Sequence, residues 1–174
     1  MDTDMTVEKP KLFIFDSLRR DVIKRVRQFI AHDGIILNKG SHEAPYTQCL
    51  SSTMMGIDAQ RSARFGFSRD LLKELEGRTN FIPIIGSAED LPFKAGFFNR
   101  IVCTEILEHV RSDKNEVSKM AKFLVNEGRA FLTAPNGDVI PLEYGIREHV
   151  HHYPEKDLHN LLNNSFEQVV RAKE

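Results

Sequence analysis

The sequence predicts an α/β domain built on a mostly parallel sheet with helices on both faces. Two observations carry this expectation. Short apolar runs such as Ile35-Ile36-Leu37 and Phe81 to Ile85 alternate with segments whose apolar residues recur at helical spacing. In addition, no repeat, low-complexity tract or long linker divides the 174 residues. The reading is therefore one domain over residues 13–174, preceded by a flexible arm over residues 1–12.

The elements follow in order. From Ser17 to Ala31 the set Leu18, Val22, Ile23, Val26, Phe29 and Ile30 predicts an amphipathic helix, ended by His32-Asp33-Gly34. Ile35 to Leu37 reads as a buried strand, and Thr53 to Ile57 as a second, closed by Asp58. A helix over Leu71 to Leu75 stops at Gly77. Phe81 to Ile85 and Arg100 to Thr104 are the third and fourth strands. Asp113 and Glu116 have the spacing of a capping box, opening a helix whose inner face is Val117, Met120, Ala121 and Leu124. "GRAFLTAP" gives a fifth strand beginning near Gly128. Pro154 suits the first position of a helix carrying Leu158, Leu161 and Leu162, and "FEQVV" is a sixth strand.

Bulk composition excludes several classes. With 24 basic and 25 acidic residues the formal net charge is -1, which leaves no electrostatic footprint for nucleic acid. The basic run Arg19, Arg20, Lys24, Arg25 and Arg27 reads as the wet face of a helix. The N-terminal "MDTDMTVEKP" is acidic and polar, unlike a signal peptide, and no apolar run approaches the roughly 20 residues of a membrane helix. Cys49 and Cys103 form no CxxC pair. The expectation is a reduced, cytoplasmic protein.

In sheets of this kind ligands bind at the carboxyl ends of the strands, where strand order reverses. Gly40 follows the first strand, and 18 residues later Asp58 ends the second. That spacing places a carboxylate, which accepts two hydrogen bonds at once, against a ribose hydroxyl pair; Asp58 as a simple helix cap is the competing reading. "GSAEDLPF" follows the third strand and "CTEILEHV" the fourth. Glu108 and His109 in the latter have the character of a base and its orienting partner, against the plainer reading of a packed histidine and a structural carboxylate. The run His149, His151 and His152 invites a metal reading. On a strand the three cannot all point one way, and no acidic or thiolate partner stands at fixed spacing, so no metal is expected.

The order of these pieces resembles the class I S-adenosylmethionine-dependent methyltransferases of the type 11 group. The resemblance runs from about residue 18 to 170 and rests on "GSAEDLPFKAGFFNRIVCTEILEHV", "FLTAPN" and "EHVHHYPEKDLHNLL". It implies a Rossmann-like sheet with S-adenosylmethionine lying over the strand ends. The glycine loop would fall on Gly40, His42 and Ala44, following Asn38, and the ribose acid on Asp58. Adenine would lie near Ser87, Ala88 and Glu89, and the methionine moiety near Thr104. Glu108 and His109 would face the methyl acceptor, with His109 the candidate base and Glu108 its orienting partner.

The departures from the family's wording are informative. Asn38 stands where an aspartate is common, His42 and Ala44 replace loop glycines, and Ser87 replaces an aspartate or asparagine. An imidazole at position 42 would project into the volume open to the cofactor's amino-acid end, so weak cofactor binding is expected. The implied function is methyl transfer to an unidentified small or medium-sized acceptor; the alternative is a catalytically weak or inactive methyltransferase-like binding or regulatory module. A nicotinamide dehydrogenase would share the first half of the architecture but leaves "AEDLPF" and "EILEHV" unexplained. The family's seventh strand inserts between the fifth and sixth, and here "FEQVVRAKE" is the final segment. The expectation is thus a C-terminally shortened sheet of six strands or fewer. Its open edge near Phe131 and Leu132 would support a homodimer, unless "FEQVV" pairs with "AFLTA" and the chain stays monomeric.

Overall fold

Seven parallel strands form one sheet in a computed structural model that describes residues 11–14, 19–31, 34–40, 53–58, 73, 77, 80–87, 89–144 and 148–171. The strands are β1 (Lys11–Ile14), β2 (Ile35–Lys39), β3 (Thr53–Asp58), β4 (Phe81–Ile85), β5 (Phe98–Thr104), β6 (Leu124–Thr133) and β7 (Gln168–Arg171). Their spatial order is β4-β3-β2-β5-β6-β1-β7, and every pairing among them is parallel. The chain runs outward from β2 to β4, then returns to place β5 on the other side of β2. Strand order therefore reverses between β2 and β5, which fixes the crevice at their carboxyl ends.

Strand alternation divides the core into two layers. Leu37, Ile101, Cys103 and Leu132 belong to the core cluster on one face. Helices α2 (Asp113–Phe123) and α3 (Glu155–Asn163) supply Val117, Met120, Leu158, Leu161 and Leu162 to that same cluster. The residues between them in register, Val102 and Phe131, face the other way. There helix α1 (Arg19–Ile30) buries Val26 and Ile30 and sets the Phe29 ring 5.6 Å from that of Phe131. The Arg100 guanidinium lies over Phe29 at 5.4 Å.

The α/β class and the parallel sheet agree with the sequence reading; Phe81–Ile85 appears with the expected ends, and no other expected strand has an end shifted by more than four residues. Three expectations need correction. First, β1 begins at Lys11, inside the stretch assigned to the arm, and it lies between β6 and β7. The sheet thus has seven strands rather than six or fewer. The place a C-terminal strand takes in the family is filled from the N-terminal side, in parallel orientation. Phe131 and Leu132 pair with Phe13 and Ile14, so the open edge that motivated a dimer does not exist, and β7 meets β1 rather than β6.

Second, the capping box does not form. Ser112 is the cap of α2 and makes no side-chain cap bond, while Glu116 turns inward and is buried. Third, β6 starts at Leu124, four residues before Gly128, because Glu127 adopts a left-handed φ of 59° beside Gly128. This shifts the β5–β6 register and lets an irregular stretch continue the ladder. The helix expected over Leu71 to Leu75 falls almost wholly outside the described residues.

Candidate active site at the carboxyl ends of the strands

Hydrogen bonds between successive strand ends gather the expected cofactor residues. The Gly40 amide donates to the Ile57 carbonyl at 3.0 Å, and the Gly86 amide to the Asp58 carbonyl at 3.0 Å. These steps bring the end of β2 to Asp58, and Asp58 to the Gly86-Ser87 turn. Gly40 has φ +73°, and a Cβ there would stand 2.3 Å from Ile106 Cδ1, so glycine is required both for the turn and for the packing of Ile106. Ser87 and Glu89 are exposed; the Ser87 Oγ accepts from the Glu89 amide, and the Glu89 carbonyl accepts from Lys119 Nζ at 2.6 Å. Thr104 ends β5 half-buried, and Asn38 in β2 is fully buried. His42, Ala44 and Ala88 lie outside the described residues.

Sequence reasoning missed Lys39. It is fully buried, with 0% exposure, and its Nζ pairs with Glu116 Oε1, also buried. Burial pushes the Lys39 ammonium down to about 8, with smaller contributions from Cys103, Lys119 and Glu89. At about 8 the ammonium is still protonated at neutral pH, opposite Glu116. A lysine inside an otherwise apolar strand was the signal available in the sequence. The same burial raises the Cys103 thiol to about 12.

The turn after β5 positions the acceptor-side residues. Glu105 is held at a left-handed φ of 53°, its amide bonded to the Thr133 carbonyl at 3.1 Å and to Thr133 Oγ1 at 3.2 Å. A 3-10 turn over Leu107–His109 then points Glu108 inward and leaves His109 exposed. Burial and the nearby Glu105 carboxylate push the Glu108 carboxyl up to about 8, and the two side chains share a hydrogen bond. Glu108 Oε2 has no hydrogen-bond partner.

The segment entering α3 is stitched onto this turn. The amides of Val150 and His151 donate to the Glu108 carbonyl at 2.8 and 3.2 Å. The Tyr153 hydroxyl donates to the Leu107 carbonyl at 3.3 Å and lies 3.4 Å from Asp113 Oδ2, which with burial raises its pKa well above the usual phenol range. This stitching sets the His149 ring against that of His109, with centroids 4.6 Å apart. His109 Nδ1 donates to the Glu148 carbonyl at 3.2 Å, so that carbonyl orients the imidazole in the position where Glu108 was expected to do so. Burial, then His109 and His152, lower the pKa of His149.

The profile of a family described as a methyltransferase domain matches residues 39–132. No curated protein matches the chain. Solved structures share the fold. The YcgJ protein of Bacillus subtilis is 17% identical with a TM-score of 0.70, covering 84% of this chain and 68% of its own. The BH2331 protein of Bacillus halodurans is 18% identical with a TM-score of 0.64, covering 82% and 67%. A Burkholderia thailandensis 1,6-didemethyltoxoflavin-N1-methyltransferase, solved with bound 1,6-didemethyltoxoflavin and S-adenosylhomocysteine, is 10% identical with a TM-score of 0.63, covering 84% and 65%.

Proposed function

Because this chain belongs to the methyltransferase-domain family, we propose that it transfers a methyl group from S-adenosylmethionine, bound weakly, to a small or medium-sized acceptor. The observation that carries the reading is the hydrogen-bonded staircase of Gly40, Asp58 and Gly86 at the sheet's reversal point. It joins the backbone of Asp58 to the turn at Gly86 and Ser87, which supports a nucleoside lying there. The Burkholderia thailandensis methyltransferase solved with S-adenosylhomocysteine shares this fold and supports the same cofactor.

When bound, the cofactor supplies an activated methyl electrophile, so the chain's own part is proximity, alignment and exclusion of water. Asp58 would hold the ribose hydroxyls. Ser87, Ala88 and Glu89 would flank the adenine, and Asn38, Gly40, His42 and Thr104 the amino-acid end. The Lys39–Glu116 pair beneath them is neutral as a unit and so does not repel a sulfonium. Glu108 and His109 stand on the turn that opens toward the acceptor, where His109 would take the acceptor's proton. Val139, Ile140, Leu142 and Val150 are exposed and lie in the segments around the histidines, which suits an acceptor with an apolar body. Among the described residues no helix is long and apolar enough to cross a membrane.

A second reading, a methyltransferase-like binding module, is favoured by Asn38, an amide where the family commonly has an acid, and by the buried Lys39–Glu116 ion pair next to it. Calorimetric titration with S-adenosylhomocysteine separates the two. The enzyme reading expects a dissociation constant of about tens of micromolar, largely lost in Asp58→Ala because the carboxylate's bonds to two hydroxyls are charge-assisted. No binding up to millimolar ligand would leave the module, and unchanged affinity in Asp58→Ala would refute this placement of the ribose.

A further inference from the structure

Glu108, His109 and His149 come from two separate segments, yet a carboxylate oxygen and one ring nitrogen from each histidine lie within 4.8 Å of one another. The partner that the histidine run lacked in sequence is supplied across 40 residues by the turn after β5. We propose that these three side chains form a binding site for one divalent transition-metal ion, distinct from the cofactor's residues.

The hydrogen-bond pattern prepares both imidazoles for ligation. His152 Nδ1 contacts the Ile140 carbonyl at 2.7 Å; a carbonyl only accepts, so that nitrogen carries the proton. In the neutral ring His152 Nε2 is then an acceptor, and His149 Nδ1, 2.8 Å away, must donate to it. His149 Nε2 is left with its lone pair. His109 Nδ1 likewise donates to the Glu148 carbonyl, which leaves His109 Nε2 with its own. Metal-bound histidines are oriented in this way, by a donated bond from the other ring nitrogen.

The carboxylate gives the second, independent indication. Glu108 is 1% exposed and its Oε2 has no hydrogen-bond partner among the described residues, a buried and uncompensated oxygen in the same cluster as the two imidazoles. A cation bound there would displace the carboxyl's proton to solvent and take up that oxygen. Two imidazoles and one carboxylate select the zinc, cobalt, nickel or iron class over magnesium or calcium, which take oxygen ligands. Ligand atoms around a tetrahedral ion at about 2.0–2.2 Å stand roughly 3.3–3.6 Å apart, so the site closes by a small rotation of the exposed His109 ring. Three protein ligands leave a position open for water or for an acceptor oxygen. With metal bound, the lone pair of His109 would no longer be available as a base, and the ion would instead supply Lewis acidity toward an acceptor oxygen, whose proton would pass to solvent. That last role rests on the methyl-transfer reading; the site itself does not.

The test uses the full chain, stripped of metal with a chelator and titrated with cobalt(II) chloride while visible absorption is followed. Zinc chloride is then added in competition. The expected result is one cobalt per chain, with ligand-field bands of a nitrogen- and oxygen-ligated ion, displaced by zinc. His109→Ala and His149→Ala should weaken binding more than tenfold, and His152→Ala, which removes only an orienting bond, by about 10–100-fold. His159→Ala on the outer face of α3 should bind as the parent does. Glu108→Gln keeps the shape of the turn and should also weaken binding, with far-ultraviolet dichroism confirming the fold of each variant. Absence of stoichiometric binding, or binding unchanged in both His109→Ala and His149→Ala, would overturn the proposal. No cofactor or acceptor is present in this titration, so its outcome is independent of whether the chain transfers methyl groups.

Discussion

Replacing Lys39 by methionine would remove one half of an ion pair whose side chains are 1% and 2% exposed. The carboxylate of Glu116 would then be stranded in the core, since its Oε1 has no other partner. Breaking a buried pair in this way costs about 3–5 kcal/mol, roughly a fifth or more of the stability of an ordinary domain. Glu116→Leu should cost a similar amount, because an ammonium held at about 8 in place of 10.5 is unfavourable to bury. The double variant Lys39→Met/Glu116→Leu replaces both charges by apolar groups of similar size, and should lie within about 1 kcal/mol of the parent or above it.

Urea unfolding of the four proteins gives the cycle, with the two single losses exceeding the double by about 3 kcal/mol or more. The parent carries a pH signature. With Lys39 lowered to about 8, its folded state binds fewer protons than the unfolded chain between pH 8 and 10.5, so this group's contribution to stability rises with pH across that window. The gain approaches about 3 kcal/mol, at 1.36 kcal/mol for each unit. Single variants within about 0.5 kcal/mol of the parent, or additive losses, would show that the pair is not buried as described.

Two further outcomes follow from the fold. The Cys103 thiol, raised to about 12 by burial, should resist a thiol-exchange reagent at pH 8 in the folded protein. Peptide mapping should show it reacting only along the urea transition, and reaction in native buffer at the rate of a free thiol would refute its burial. Leu12→Pro breaks the ladder of a strand paired on both sides and should destabilise the domain by several kcal/mol, about 3 as an order of magnitude. A denaturation midpoint unchanged from the parent would mean that β1 does not hold the centre of that half-sheet.

Most of the architecture was legible because strand and helix periodicities differ, and a run such as Phe81 to Ile85 bounded by Asn80 and Gly86 has one reading. β1 was not legible for a physical reason. "KLFI" follows "MDTDMTVEKP", in which polar and charged residues predominate, and four residues carry too little pattern to distinguish a strand from an arm. Only its partners on β6 and β7 make it a strand, and those pairings are non-local. The missed cap at Asp113 has a related cause: the box pattern was present, but Glu116 finds Lys39 across the core, and a buried charge outcompetes a surface cap worth about 1 kcal/mol.

The candidate site divides along the same line. Asp58 and Ser87 follow strands directly, so their positions could be read from strand ends, and Glu108 and His109 likewise from the end of β5. His149 could not be placed that way. Its location depends on Val150 and His151 donating to the Glu108 carbonyl and on Tyr153 reaching the Leu107 carbonyl, bonds that join residues about 40 positions apart. The sequence shows three histidines without a carboxylate, and separately a carboxylate without its metal-ligating neighbours. Folding supplies the missing half of each. Because the same backbone bonds that dock the segment also orient the imidazoles through Glu148 and Ile140, the geometry of the cluster is tied to the docking itself. Local rearrangement of residues 148–153 would thus dissolve the histidine pair while leaving Asp58 and the strand ends in place.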